Sequence, residues 1–546
     1  MLTERPKRWD RVVDVVVVGS GGAALTAATL AHDGGAEVLV LEKDRMIGGT
    51  TAVSGGVMWL PQNHHMAEAG IEDSREEAIA YISRLAMGGE HDPRLIEVFV
   101  DTAPEMLAYL EAKTPVKTAF VPNFPDYYIA FDIPGKKHGA RSVEPVPYPV
   151  ARELPEWKDK LVTRGTLMSL GAVTTLGEEF APAGEGLPAE LARREALDIR
   201  TKGAALIAML WKGLLQRGVD LALESPAREL VVVDGAVIGV RYECDGQSRL
   251  VGARKGVVLA CGGFEWNAEM VRAFIGYDVK PLSPGCNVGD GLVMAMHAGA
   301  QLANMNSYWG QPSMVDPTVV RDGELVPQFE WARGEPGSFI VNRNAERFAN
   351  EALPYNDFPR AFGRFDPTSV TFPNEGPAFM IFDQGVRDTE QVLSMLPGEP
   401  TPDWVPHAKD IRDLAAQIDL DPDALAATLA RFNEHAAKGV DPDFARHEVG
   451  LMGPGRVRPL TKPPFYAVKV HPGALGTNGG PRLNEHAQVR RYGDGVVEGL
   501  YAAGNTAANA FGWAYPSGGG TLANGFTFGF LAGRHVAAQR SRSIEE

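Results

Sequence analysis

An α/β fold whose first domain is interrupted by an inserted second one is what this 546-residue sequence predicts. Three observations carry that reading. A strand–glycine turn–helix–strand unit stands near the N-terminus, from Val12 to Glu42. A ladder of β-branched strands joined by Asp-Gly turns occupies the middle of the chain. Strand-then-glycine motifs return near the C-terminus, after a stretch of different composition.

The first unit is the most informative. Val12–Val18 is a β-branched run short enough for a buried strand, and it ends on Gly19-Ser20-Gly21-Gly22-Ala23-Ala24. A small-residue helix follows to about Asp33, stopped by Gly34-Gly35. Val38–Leu41 is a second buried strand, with Glu42 at its end. This G-x-G-x-x-A turn keeps glycine where the chain must bend tightly and where backbone must approach a pyrophosphate. The helix start offers N–H groups and a positive dipole end to that phosphate. Glu42 is placed to accept from ribose hydroxyls. Together these features predict a Rossmann-like dinucleotide-binding unit.

Composition bounds the rest. With 45% hydrophobic residues the chain can bury a large core in two or more domains. Its 61 glycines cluster in short motifs, as backbone wrapped closely around a ligand requires. A formal charge of −16, with no Lys/Arg block, argues against nucleic acid or an anionic membrane as main partner. Cys244, Cys261 and Cys286 show no C-x-x-C spacing, so a reducing compartment and no structural metal are expected. The N-terminal MLTERPKRWDR lacks an apolar signal core, and no long apolar run is free of glycine and charge, so no transmembrane segment is expected. The expectation is a cytoplasmic protein, free or peripheral to a membrane.

Along the chain, Lys43 to Gly49 leads into Thr50-Thr51 and then Ser54-Gly55-Gly56, two Gly pairs with interleaved hydroxyl donors, read as a cofactor loop. Residues 73–113 read as helices, with Ile79, Ile82, Ala86 and Met106, Leu110 at helical spacing. Thr114–Pro149 is rich in Pro and aromatics and contains Pro125-Asp126-Tyr127-Tyr128. Residues 150–200, charged and Pro-rich, read as a surface excursion. Gly203–Arg217 is a helix and Val219–Leu223 a strand. Ala227 opens the ladder of Glu229–Val233 and Val237–Tyr242, with Asp234-Gly235 and Asp245-Gly246 as its turns. Val257–Leu259 runs into Ala260-Cys261-Gly262-Gly263. Gly289-Asp290-Gly291 starts an Ala/Met-rich helix, where Asp290 is either an N-cap or a cofactor contact. Asp421 caps a helix with Pro422 in its first turn and Leu425, Leu429 and Phe432 on one face. Gly499 to Gly504-Asn505 is a last strand and glycine turn. Tyr515-Pro516-Ser517-Gly518-Gly519-Gly520-Thr521-Leu522 opens a long apolar helix.

This series of motifs resembles the fumarate reductase/succinate dehydrogenase flavoprotein superfamily over nearly the whole chain. The resemblance implies FAD as cofactor, a Rossmann-like FAD-binding domain at 1–281 and 461–546, and an inserted α+β catalytic domain at 282–460. It implies FAD contacts at Gly19, Gly21, Gly22, Ala23, Ala24, Glu42, Lys43, Gly49, Thr50 and Thr51. It extends them to Ser54, Gly55, Gly56, Ala227, Ala260, Gly262, Asp290, Gly504, Asn505, Gly520, Thr521 and Leu522. The start of the last helix would face the flavin pyrimidine ring and favour its reduced, anionic form.

The reaction must come from the site, because the fold hosts several. Fumarate reductases of this superfamily hold dicarboxylates with arginine and histidine. Here Tyr355 follows Arg347-Phe348-Ala349-Asn350-Glu351 where their arginine falls, Gly476-Thr477-Asn478-Gly479-Gly480 lacks their histidine, and Tyr515-Pro516 replaces their final Asn-Arg. A dicarboxylate would lose its charged partners. The tyrosine motifs resemble instead 3-ketosteroid Δ1-dehydrogenases. That resemblance implies that Tyr515 and the Gly519 N–H hold the C3 carbonyl oxygen and that Tyr355 removes a proton from carbon 2. Tyr128 or Tyr127 assists, and flavin N5 takes a hydride from carbon 1. The chemistry is coherent in itself: preorganised donors stabilise the enolate, and a phenol of pKa about 10 needs a helper to act as base. Ser517 departs from the usual Tyr-Pro-Gly and fits a related Δ4-(5α)-dehydrogenase, in which serine is the base. A different cyclic ketone is the third possibility.

Rival readings are a flavin-bound carrier of an apolar ligand and a dicarboxylate reductase. His471 is either an acid/base group or structural, Cys261 a packing residue, and Trp59, Trp309 and Trp513 are pocket walls or core. No second dinucleotide fingerprint and no haem or iron–sulfur motif is visible, so electrons pass to an external acceptor.

Overall fold

The computed structural model describes residues 1–86, 91–162, 173–181, 184, 186–321, 324–329, 331–451 and 453–544. Arg11–Val18 forms the heart of an eight-stranded sheet. It pairs in parallel with Val38–Leu41 on one side and with Gln247–Leu259 on the other. Val496–Ala502 joins in parallel through Leu500–Ala502 against Val257–Leu259. Strands buried on both faces need continuous apolar runs, and Val15 to Val18 and Val38 to Leu41 supply them. The register brings Val18, Leu41, Leu259 and Ala502 to one edge of the sheet, so the glycine turns that follow these strands open on that edge. The Asp-Gly turns at Asp234-Gly235 and Asp245-Gly246 have positive φ at both residues (51° and 79°, 52° and 71°), as tight hairpins require.

The helix Gly22–Asp33 packs directly against the C-terminal helix Gly520–Ala537. Small residues permit this approach: a Cβ on Gly529 would stand 2.4 Å from the Ala23 carbonyl oxygen, and one on Gly533 2.3 Å from that of Ala27. Both helix starts are thereby drawn to the same edge of the sheet.

A seven-stranded second sheet belongs to the insertion. Its central strand, Phe465–Thr477, pairs with Tyr308–Arg321 and with Ala378–Asp383. Sheet membership therefore carries the second body to Thr477, past the boundary expected at 460. The Pro and Gly in His471-Pro472-Gly473 disguise this strand as a loop. Helices Ile411–Gln417 and Pro422–Ala436 cover one face, where Leu425, Leu429 and Phe432 meet Phe339 and Ile381. Asp421 caps the second of these helices by accepting from the Asp423 and Ala424 N–H groups.

The helices expected within 73–113 are Arg75–Leu85 and Pro93–Lys113, begun by Ser74 and Asp92 as caps. The expected surface excursion at 150–200 contains the helix Leu176–Phe180, whose Leu176 is buried. Among the described residues no helix is long and apolar enough to cross a membrane.

Gly529→Ala is expected to force the two helices apart and to lower stability by ~1–3 kcal/mol, the usual range for overpacking. The reading is a lower urea midpoint at unchanged slope; an unchanged midpoint would mean that this contact constrains nothing.

Candidate active site

The edge where the glycine turns gather opens on a continuous cavity. Its polar end is made by the first turn and the loop after Glu42. Gly19, Gly21, Gly22 and Ala23 line it, with Glu42, Lys43, Gly49, Thr50, Thr51, Ser54, Gly55 and Gly56. Ala227, Ala260, Gly262, Asp290, Gly504, Asn505, Thr521 and Leu522 complete that end. Two expected contacts are not among its lining residues: Ala24 is fully buried, and the Gly520 N–H donates to the Ser517 carbonyl oxygen at 3.2 Å.

Glycine is required at particular points here. Gly19 has φ +108°, and a Cβ on it would lie 2.3 Å from the Ala260 carbonyl oxygen. Gly519, the residue before the last helix, has φ +97°, and its Cβ would lie 2.6 Å from the Val57 carbonyl oxygen. Glu42 accepts from the Ser20 hydroxyl at 2.6 Å and from the Asp44 N–H at 2.8 Å. Burial raises its carboxyl above the usual range. Two of its roughly four acceptor positions are used, leaving the others for a hydroxyl in the cavity. Asp290 is not the N-cap; Gly289 is, and Asp290 is the first helical residue, accepting from the Lys43 ammonium at 2.5 Å.

The other end of the cavity is aromatic. The Tyr127 hydroxyl donates to that of Tyr355, and Tyr355 donates to Tyr515, both at 3.0 Å. All three phenols line the cavity beside Gly519. Burial, reinforced by the neighbouring phenols, lifts Tyr355 well above its ordinary pKa; burial does the same for Tyr127 and raises Tyr515. Each phenol carries one proton, and those of Tyr127 and Tyr355 are committed within the chain. Tyr515 accepts from Tyr355, and hydrogen bonding from Thr521 and the Gly519 N–H partly offsets its burial.

The aromatic wall closes on itself. Tyr355 meets Phe329 at 5.1 Å between ring centroids, Phe329 meets Trp331 at 4.3 Å, and Trp331 meets Phe180 at 6.0 Å. Phe180 meets Phe124 at 5.3 Å, Phe124 meets Tyr127 at 6.0 Å, and Tyr127 returns to Tyr355 at 5.3 Å. All six rings line the cavity. The expected tryptophan walls do not: Trp59 stacks on Phe99, Trp309 supports Tyr515 from behind and donates to Asn505, and Trp513 lies under Arg360.

Two expected catalytic residues face elsewhere. Tyr128 donates to the buried Asp357 at 2.7 Å, off the cavity. Ser517 is fully buried and donates to the Pro125 carbonyl oxygen at 2.9 Å. Both act as fasteners. The Tyr127 N–H and the Tyr81 hydroxyl both donate to the Pro516 carbonyl oxygen, at 3.1 and 2.7 Å. Asp126 is held by Arg141, Trp59 and the Lys137 N–H, each at 2.8 Å. Burial pushes the Asp126 carboxyl up to about 6 in spite of Arg141. Tyr355 is mounted separately, by Arg347 bridging Glu351 and Asp441 at 2.8–2.9 Å and by Arg333 donating to the Leu353 carbonyl oxygen at 3.0 Å. The supports Tyr81, Asp126, Arg141 and Arg333 were not visible in the sequence, where nothing relates them to their distant partners. His471 lies off the cavity, and burial, with Lys280 and Lys469, pushes its pKa down to about 4, so the structural reading holds. Burial lifts the Cys261 thiol to about 11, in keeping with packing.

The FAD binding domain family model matches residues 14–522. The chain belongs to this family. Across 97% of itself and 99% of the relative, this FAD-binding protein is 35% identical to the 3-oxosteroid 1-dehydrogenase of Mycobacterium tuberculosis. It is 36% identical to the 4-oxocyclohexanecarboxylate 2-dehydrogenase of Sinomonas cyclohexanicum, over 96% of the chain and 93% of the relative. Its fold resembles the crystal structure of the 3-ketosteroid Δ1-dehydrogenase of Sterolibacterium denitrificans in complex with 1,4-androstadiene-3,17-dione. There the TM-score is 0.87 and the identity 32%, with 97% of this chain and all of that one covered.

The protein is an FAD-dependent oxidoreductase of the 3-ketosteroid Δ1-dehydrogenase-like kind. Its own residues fit the cofactor: side-chain-free backbone at Gly19, two helix starts turned to one cavity, and an acid with acceptor positions to spare. FAD, when bound, supplies a two-electron acceptor beside the tyrosines.

Burial of the phenols sets a pH dependence. The unfolded chain releases phenolic protons above about pH 10, while folded Tyr127 and Tyr355 retain theirs. Their contribution to stability is therefore full below about pH 10 and is lost as pH rises from there toward their raised folded values. The urea midpoint should fall between pH 8 and 10.5, and fall less in Tyr127→Phe. Equal falls would mean that Tyr127 ionises in place.

Proposed function

We propose that this protein desaturates the C1–C2 bond of a 3-ketosteroid. The observation that carries the reading is the hydrogen-bonded chain Tyr127–Tyr355–Tyr515, open to an uncharged aromatic chamber beside the cofactor cradle. In this reading the C3 carbonyl oxygen accepts from the Tyr515 hydroxyl and the Gly519 N–H. Charge developing on that oxygen is stabilised by donors already in place.

A buried phenolate would be costly, and the direction of the chain offers a way round it. Tyr355 takes the C2 proton as its own proton passes to Tyr515, and Tyr515 gives up its proton to the C3 oxygen. The net change is one proton moved from carbon to oxygen, with every phenol neutral before and after. Tyr127 steadies the Tyr355 oxygen by donating to it. Desaturation would then need a hydride to leave carbon 1 for the two-electron acceptor that FAD supplies when bound, and the enol proton to leave the C3 oxygen for solvent, so that the dienone is left.

Two observations favour this regiochemistry and substrate over the alternatives. The Ser517 hydroxyl, the base of a Δ4 reading, is spent on Pro125. Among the described lining residues the single cation is Lys43, which is bound to Asp290 at the cofactor end. A ring carboxylate or a dicarboxylate would find no charged partner among the tyrosines.

The test is an anaerobic titration of the yellow protein with 4-androstene-3,17-dione, whose C4–C5 bond is already unsaturated. Bleaching of the flavin with a 1,4-diene-3-one product is expected. Bleaching only by saturated 5α-steroids would move the double bond to Δ4, and bleaching only by 4-oxocyclohexanecarboxylate would replace the substrate class. Tyr355→Phe should keep FAD and lose turnover. Tyr515→Phe should raise the barrier by ~2–4 kcal/mol, the worth of one oxyanion donor; near-normal turnover would put the carbonyl elsewhere.

A further inference from the structure

We propose that His64, His65 and Glu111 form a site for one divalent transition-metal ion of the zinc class, away from the cavity. Their ligand atoms all lie within 4.8 Å of one another. Ligands bound at about 2.0–2.2 Å from a common ion span at most roughly twice that distance, so modest rotations of the rings bring all three into range. Glu111 Oε2 is already 2.8 Å from His64 Nε2, and its Oε1 is 3.6 Å from His65 Nε2. Two imidazoles and one carboxylate are the donor set of zinc sites that keep their fourth position open for water.

The surroundings are built as such a site needs. His65 Nδ1, the ring nitrogen away from Glu111, lies 3.4 Å from Glu68 Oε2. A carboxylate there holds a metal-bound imidazole in one tautomer and orientation. Glu111 is steadied by the Thr118 N–H and hydroxyl, both 2.7 Å from Oε1, which leaves Oε2 as the atom for the ion. The side chains of His64, His65 and Glu111 are 35%, 15% and 13% exposed, open enough for an ion and its water to enter.

The position has a structural consequence. His64 and His65 start the helix His64–Glu68, Glu111 lies in the last turn of Pro93–Lys113, and Thr118 begins the strand Thr118–Phe120. That strand leads directly to Phe124 and Tyr127. An ion here joins two separate helices, with the strand tied to them through the Thr118 contacts to Glu111, at the root of the loop that carries Tyr127 and away from the cavity. In its absence His64 Nε2 meets Glu111 Oε2 at 2.8 Å and His65 Nε2 meets the Thr118 hydroxyl at 3.0 Å.

The test uses the full-length holoenzyme, free of any histidine tag and dialysed against a chelator. Zinc is added in a calorimetric titration, and the dialysed protein is then assayed for metal. One zinc per chain is expected, with a higher unfolding temperature. Affinity should fall about tenfold or more in His64→Ala and in Glu111→Gln. His64→Ala should keep its FAD and its metal-free turnover, which separates loss of the site from loss of the fold. No saturable uptake, uptake unchanged in both variants, or equal uptake of magnesium would overturn the assignment.

Discussion

Two helices that touch without side chains between them fix the geometry on which the rest depends. Gly529 and Gly533 lie against the Ala23 and Ala27 carbonyls, so the first and last helices of the chain run in backbone contact. Wider spacing would leave two helix starts facing different solvent. At this spacing both face the cavity, and residues some five hundred positions apart form one wall. The parallel strands between them do the complementary work by ending together at Val18, Leu41, Leu259 and Ala502. A cofactor cradle results whose lining is rich in glycine and other small residues.

The aromatic end obeys a different rule. Three phenolic hydroxyls are buried together, and a buried hydroxyl without a partner is expensive. Each satisfies the next, and the cost of breaking the series rises with every member in place. The chain must therefore deliver each ring accurately, and it does so with polar fasteners outside the cavity: Ser517 to Pro125, Tyr81 to Pro516, Tyr128 to Asp357, and Arg347 between Glu351 and Asp441. Residues that resemble catalytic groups in sequence, Ser517 and Tyr128, belong to this outer layer.

Local features were legible in the sequence. The run of valines, the glycine turn and the placement of Glu42 follow from periodicity and backbone sterics, and the Asp421 cap and the Leu425–Leu429–Phe432 stripe appear as drawn. The choice between Tyr127 and Tyr128 was not legible, because a Pro-rich loop has no period to say which neighbour points inward. Phe180 and Leu176 were hidden inside a charged stretch whose apolar face becomes visible only when Glu178 and Glu179 are seen paired to Arg194 and Lys202 on the other side. Phe329 and Trp331 stood in no motif at all. The strand Phe465–Thr477 is not legible in the sequence because its pairing partners, which alone define a strand rich in Gly and Pro, are distant in the chain.

The ring of six aromatics has a consequence for how this protein should be counted. Its members come from four separate segments, and Tyr355 is mounted on the insertion, while Tyr127 and Tyr515 are fastened to each other. The cradle draws almost nothing from the insertion. A molecule with its insertion misdocked would therefore keep the colour of the cofactor and yet contain no complete reaction centre. Flavin absorbance would count such molecules together with competent ones, so it bounds the number of working sites from above.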